Sequence, residues 1–459
     1  MNWIQIHKNI ASLIFGLHRR NKPSYRDRRM KLFYFVYFAL FFLSLGIGAV
    51  TNDRIEQSIF LANISIGVAV LAIKLWLLIW NQNKIINLLD RVYHFSIRNE
   101  DDQIRFNDRL GRFMKFVFGF IIAIIVTDFF GIIVLPFVGS EKTFFFEIAF
   151  PLDYKNNEIA FWIAFVFLFI GICLTAFIII FTTIIWFLLF VCSLRYEVLE
   201  SELKNMGRMG EKRVAEITEK QQHNMFVEHL KTAINAHLLL RKLVDELESF
   251  FSPLFLAQFG ASGLCICGSV YCLAFDVGNN LLERLLFLFL IFYFIAELFM
   301  ITYFGNEIML SSNRLSYSLF QSDWYNQSQP IKKSIIIFDE YLQQPQMLVS
   351  GKLYPLNLET FTRILKSAYS QLVQHFEKFS VSDMKNNVLA VFRHFRHITR
   401  KKKTKTRYHL PHGKVVDYFR YIFFKIFYVK INFRMGQVNH NTLNAYFIFE
   451  QLISVTVSR

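Results

Sequence analysis

ITYFGNEIMLSSNRLSYSLFQSDWYNQSQPIKKSIIIFDEYLQQPQMLVSGKLYPLNLETFTRILKSAYS, residues 301–370, is the stretch from which the rest of the chain is read. It opens on the end of an apolar run, so a membrane helix leaves the bilayer near Gly305 and continues as a polar segment dotted with aromatics. The spacing predicts an amphipathic helix near 331–344, and breaks are expected at Pro345 and Gly351. A last helix starts after Asn357, a good N-cap, with Glu359 placed in its first turn to meet the positive end of the helix dipole.

Composition agrees with a membrane body. The chain has 459 residues, 54% of them hydrophobic and 17% aromatic, with 54 Phe, which is far from an ordinary soluble domain. Long apolar runs recur, so the expected class is an all-α, polytopic membrane protein. Spans are read at 32–50, 59–80, 113–138, from 160 on, 250–275, 285–304 and 358–376. The fourth run is uncharged through Leu194. As a helix it would measure roughly 52 Å, against a hydrocarbon core of about 30 Å, so one long helix projecting into the cytoplasm fits better than two spans. The seventh carries Arg363, Lys366, Gln371, Gln374 and His375 and must face protein or water. Pore lining is one explanation, a mis-specified C-terminus another.

Lys and Arg near the spans set the orientation. They crowd into the N-terminal 31 residues, the 81–115 loop and the 195–248 segment, and they are sparse in the alternate loops. All the rich segments fall on one side, so the N-terminus is read as cytoplasmic and the seven helices as inverted relative to G-protein-coupled receptors. Within 195–248, Phe226, Leu230, Ile234, Leu238, Leu243 and Leu247 make a packing stripe, and His223, His229 and His237 read as solvated. Five cysteines in or beside apolar runs (Cys173, Cys192, Cys265, Cys267 and Cys272) do not make a disulfide framework. Nothing resembles a phosphate loop, a nucleophile elbow, a metal motif or a carboxylate pair, so neither an enzyme, a cofactor nor a metal is expected. The net charge of +16 does not call for nucleic acid either, because residues 377–459 hold 16 Lys and Arg against 4 acids. The remaining body is nearly neutral.

Several separated motifs now align. GNE at 305–307, DWY at 323–325, QQPQ at 343–346, SGK at 350–352, PLNLETF at 355–361 and ILKSAYS at 364–370 occur in an order that resembles the C-terminal signature of the insect odorant receptor family. LRYEVLESEL at 194–203, HLLLRKLVDELESFFSPLFLAQFGASGLCIC at 237–267 and the opening stretch are similar as well, so the likeness covers roughly residues 1–370. It implies a ligand-gated, non-selective cation channel in the plasma membrane of an olfactory neuron, built as a heterotetramer in which a tuning subunit joins a common co-receptor subunit. It implies a cytoplasmic anchor, here about 195–248 and 305–356, and a last helix that lines the pore with Ile364, Ala368, Gln371 and Leu372. The short 195–248 segment looks like a tuning subunit. Gustatory receptors share the fold, but their TY…QF ending is absent.

The chain departs from the family at Ser370. Its extension contains KKKTKTR at 401–407 and an apolar piece in which Arg420, Lys425 and Lys430 recur every five residues. Each step turns a helix by about 140°, so these charges surround it and leave no lipid-facing side. The 377–459 extension reads as translated intron or a misjoined exon rather than a native domain.

A pocket for a small volatile ligand needs apolar and aromatic walls with few polar groups. Phe60, Asn63, Thr127, Asp128, Trp162, Phe165, Phe169, Phe289 and Tyr293 are the candidates in the outer halves of the spans. Asp128 and Glu297 stand apart, because an acid within a span is expensive and usually functional. An interhelical hydrogen bond would explain Asp128 equally well. Lys74 reads as a snorkelling residue near the inner end. A transporter or non-channel receptor remains the other class, but the paired broken helices expected of a transporter are not visible.

Overall fold

A computed structural model describes residues 25–52, 55–93, 97–129, 144, 148–149, 153, 157–207, 219–274 and 281–378. Helices account for almost all of it. They are α1 (Tyr25–Thr51), α2 (Ile55–Trp80), α3 (Gln82–Tyr93), α4 (Glu100–Phe129), α5 (Glu158–Lys204), α6 (Glu219–Ala274), α7 (Leu281–Phe320), α8 (Gln329–Leu342) and α9 (Leu358–Lys378). Among the described residues, six helices, α1, α2 and α4 to α7, are long and apolar enough to cross a membrane. α9 is the seventh element of the bundle but is too polar to be one of these. The 371–459 tail beyond its first turns falls largely outside the described residues, as do 130–138 of the third expected span.

The core helix is α5. Every described residue from Phe181 to Tyr196 is buried, all round the helix, as expected for a post at the centre of a bundle. Its first half differs. Ile159, Trp162, Ile163, Val166 and Phe169 are exposed, as are Leu32, Phe33, Phe35, Leu40 and Leu43 of α1. Apolar faces this broad belong against lipid. At 47 residues, α5 is about 70 Å long, so a large part of it lies beyond any hydrocarbon layer. Asn157 caps its start by accepting from the amides of Ile159 and Ala160.

Buried polar groups inside the bundle find partners where helices cross. The Tyr37 hydroxyl donates to the carbonyl of Phe167 at 2.8 Å. A side chain at Gly171 would collide with it, since a Cβ there would lie 2.7 Å from the Tyr37 oxygen.

Beyond the apolar half, α5, α6 and α7 continue together and α8 packs on α7. Ion pairs replace apolar contacts at this end. Arg109 of α4 pairs with Glu197, Arg314 of α7 with Glu200, and Arg91 of α3 with Glu246 of α6. α8 begins with Pro330 in its first turn and buries Ile335, Phe338 and Leu342. A two-stranded antiparallel hairpin, β1 (Val349–Ser350) with β2 (Tyr354–Pro355), follows at the expected break. Gly351 turns it with a φ of 57°, a conformation that suits glycine. Asn357 then caps α9, accepting from the Thr360 amide at 2.8 Å.

The packing stripe of α6 is rotated from the sequence reading. Phe226, Leu230, Leu243 and Leu247 are buried, but Leu238 is 51% exposed and His237, expected in solvent, is 4% exposed. His237 sits edge-on to Phe338 of α8. Steps of four residues drift around a helix of 3.6 residues per turn, so the buried face moves on to Ala233, His237 and Leu240.

Candidate functional site

A cavity of about 190 Å³ lies inside the apolar half of the bundle. Each wall is one face of a helix. On α7, Phe289, Tyr293 and Glu297 are four residues apart; on α2, Phe60, Ile64, Leu71 and Lys74 share a stripe; α4 supplies Ile124, Thr127 and Asp128. α5 closes the side with Leu168, Ile172, Thr175 and Ile179, and Gln258 of α6 reaches in from behind. The walls are largely aliphatic and aromatic, and the few polar groups are concentrated at specific heights.

Of the residues singled out in the sequence, Phe60, Thr127, Asp128, Phe289 and Tyr293 are brought together around this space. Asn63 is not. It is buried against α6, where Cys265 Sγ donates to its carbonyl at 3.4 Å and Gly268 gives it room. Trp162 and Phe169 are 47% and 42% exposed on the outer face of α5, and Phe165 stacks edge-on against Trp162 rather than lining the cavity. The helical period explains most of the split: Leu168, Ile172, Thr175 and Ile179 mark the inward stripe of α5, and 162 and 169 fall off it, whereas Phe165 continues the stripe one turn before the residues that line the cavity.

Lys74 corrects the snorkelling expectation. It is 2% exposed and forms an ion pair with Glu297, itself 1% exposed. The ammonium also donates to Thr182 Oγ1 at 3.3 Å. Gln258 Nε2 donates to the other Glu297 oxygen at 2.9 Å and to Ser262 at 2.9 Å. Side chains from α2, α5, α6 and α7 thereby make a polar floor under the cavity, which desolvated ions require. A signal was available in the sequence: Lys74 lies fourteen residues after Phe60, about four helical turns, and so on the same stripe.

Between the cavity and α9 the contacts are direct. Phe299, two residues beyond Glu297, meets Phe361 of α9 edge-on at 5.4 Å. Gly263, five residues beyond Gln258, faces Ile364. Of the expected pore residues, Ile364 therefore points toward α6 and Ala368 is buried; the side chains of Gln371 and Leu372 lie outside the described residues. The face of α9 left open carries Glu359, Arg363, Lys366, Ser367 and Ser370.

The scattered motifs of the C-terminal third meet in space. A Cβ at Gly305 would lie 2.5 Å from the Leu356 carbonyl oxygen, so the GNE segment of α7 and the PLN turn pack backbone against backbone. The Asp323 amide donates to the Met206 carbonyl at the end of α5. Ser252, beside the helix-interior Pro253, donates to the Val349 carbonyl and accepts from the Gly351 amide, at 2.8 and 2.7 Å. Gln346 Nε2 reaches Asp245. The hairpin is thus clamped onto α6 and α7 directly before α9 begins.

Comparison with known proteins agrees with this architecture. The family model described as 7tm odorant receptor matches residues 56–369. Odorant receptor 94a of Drosophila melanogaster is 25% identical over 72% of this chain and 83% of its own length. Odorant receptor Or2 of Anopheles gambiae is 23% identical over 36% of this chain and 44% of its own. The solved structure of the insect olfactory receptor OR5 from Machilis hrabei, in complex with eugenol, superposes with a TM-score of 0.65 at 13% identity, covering 82% of this chain and 97% of that one.

Proposed function

Because this chain belongs to the 7tm odorant receptor family, we propose that it is the tuning subunit of a ligand-gated, non-selective cation channel that assembles with a common co-receptor as a heterotetramer. It is a multi-pass membrane receptor and not an enzyme. The observation that carries the reading is the junction between the cavity and α9. A small volatile molecule filling the space between α2, α4, α5 and α7 would press on α7 within one turn of Phe299, whose ring rests on Phe361. Movement of α7 or α6 is in that way tied to the helix that would border the pore.

In the assembled channel the ion-paired ends of α5, α6 and α7, with α8 and the hairpin, would serve as the cytoplasmic anchor between subunits, within 195–248 and 305–356. The open polar face of α9, Arg363 to Ser370, would border the conduction path rather than Ile364 and Ala368. The receptor would sit in the plasma membrane of an olfactory neuron with its N-terminus inside. The 377–459 extension takes no part in this reading; the family match stops at residue 369.

Recording currents evoked by a panel of volatile compounds, in cells expressing this chain with or without an insect co-receptor subunit, tests the proposal. Cation current is expected only when both are present. Ligand-evoked current from neither condition, with the protein at the cell surface, would defeat the channel reading.

A further inference from the structure

The polar groups around the cavity can be sorted by whether their hydrogen bonds are already used. Thr127 and Thr175 each donate back to their own helix, to the carbonyls of Ala123 and Gly171 at 2.8 and 2.9 Å. Lys74 donates to Glu297 and Thr182 and is held by the ion pair, and Gln258 spends both amide hydrogens on Glu297 and Ser262. Two groups facing the upper cavity remain uncommitted among the described residues. The Tyr293 hydroxyl is buried with no hydrogen-bond partner, and the Asp128 carboxyl group makes no hydrogen bond or ion pair with a described residue. Deeper down, Gln258 Oε1 is also unpartnered. Among the described residues, the one cation lining this space, Lys74, is already held by Glu297.

The remainder is rich in acceptors: a carboxyl group, an amide oxygen and one hydroxyl. Buried polar groups left unmatched cost free energy, so a ligand that supplies the missing donor binds better than an isostere that cannot. A carboxylate ligand would face Asp128 without a free cation, and a purely apolar ligand would leave Asp128 and Tyr293 unmatched. An engineered cavity of about 150 Å³ accepts benzene, so this one suits a molecule of that size or a few atoms larger.

We propose that Asp128 and Tyr293 form a recognition site for a small apolar molecule ending in one hydrogen-bond donor, a primary ammonium or an alcohol. This rests on the cavity being the ligand site of the proposed receptor. Asp128 accepts the donor hydrogen in both cases, with charge assistance for an ammonium. Tyr293 donates to the oxygen of an alcohol and finds no acceptor on an ammonium. The two residues therefore distinguish the two ligand types in opposite directions.

Binding of chain-matched hexylamine, hexanol, hexanal and heptane to the purified full-length protein, followed by ligand-dependent thermal shift, tests this. Hexylamine and hexanol are expected to bind about tenfold tighter than hexanal and heptane. Asp128→Asn, which keeps an acceptor but loses the charge, is expected to weaken hexylamine about tenfold and to leave hexanol nearly unchanged. Tyr293→Phe is expected to weaken hexanol and to spare hexylamine. Equal affinity for hexanal and hexanol in the unmodified protein, an equal loss of all ligands in both variants, or no binding by any of the four would overturn the proposal. Currents recorded in parallel separate it from the channel reading: binding in the expected order without current defeats the channel and leaves the ligand class standing. Current evoked as strongly by hexanal as by hexanol does the reverse.

Discussion

The Lys74 ammonium and the Glu297 carboxylate pair across the bundle, joining α2 to α7 under the cavity with both side chains almost wholly buried. Two opposite charges so placed tolerate joint replacement better than the loss of either, because a single deletion leaves the other charge desolvated and alone. Lys74→Met is therefore expected to destabilise the protein by about 3–5 kcal/mol, read as a fall in surface labelling and in thermal stability. Lys74→Met combined with Glu297→Gln is expected to recover most of that loss, Gln258 and Thr182 remaining available to the new amide. A double variant no better than the single one would show that the two residues are not coupled.

Position on α5 separates ligand contact from lipid contact. Trp162→Ala and Phe169→Ala, on the exposed face, are expected to leave the ranking of volatile ligands unchanged. Phe60→Ala and Phe289→Ala, in the cavity wall, are expected to reorder it, with shifts of about tenfold for individual compounds. Dose–response curves across one panel, normalised to surface expression, decide the matter.

Gly305→Ala tests how the hairpin docks. Its Cβ would approach the Leu356 backbone oxygen to 2.5 Å, and backbone at the start of α9 cannot swing aside as a flexible side chain would. A cost of about 1–3 kcal/mol is expected from the overpacking, visible as lowered thermal stability of the purified protein. Gly111→Ala, on α4 with nothing within 4 Å of the added atom, serves as the neutral control.

An epitope tag before Met1 is expected to bind antibody only in permeabilised cells, since Lys and Arg crowd the N-terminal and 81–115 segments. A tag between residues 139 and 158 is expected to be reached on intact cells. The opposite pattern would reverse the orientation.

Removing residues 379–459 is expected to leave surface expression and ligand-evoked current intact or improved, and sensory-tissue transcripts are expected to splice away most of the sequence coding for 371–459. That segment would bring most of the chain's net positive charge to the side opposite the other basic segments. Loss of current on truncation, with the full-length transcript dominant, would make the extension a working part of the receptor.

The sequence by itself determined the helical membrane class, that α5 is one long helix rather than two spans, the helix after Asn357 and the family. Each depends on local or near-local signals: apolar run length against bilayer thickness, a side-chain cap, and motifs in fixed order. It also named five of the cavity's residues. Tertiary structure alone decided which face of α5 turns inward, that Asn63 belongs to the α2–α6 contact, and that Lys74 meets Glu297 from 223 positions away. Distance from the span's end made Lys74 look like a residue reaching for water. What holds it in the bundle is an acid on another helix, and no periodicity within one helix reports the rotation of its neighbour. The same limit hid the spatial logic of the C-terminal motifs. Gly305 and Leu356 are separated by a helix and a hairpin, and their contact exists only because α8 folds back along α7 and returns the chain to it.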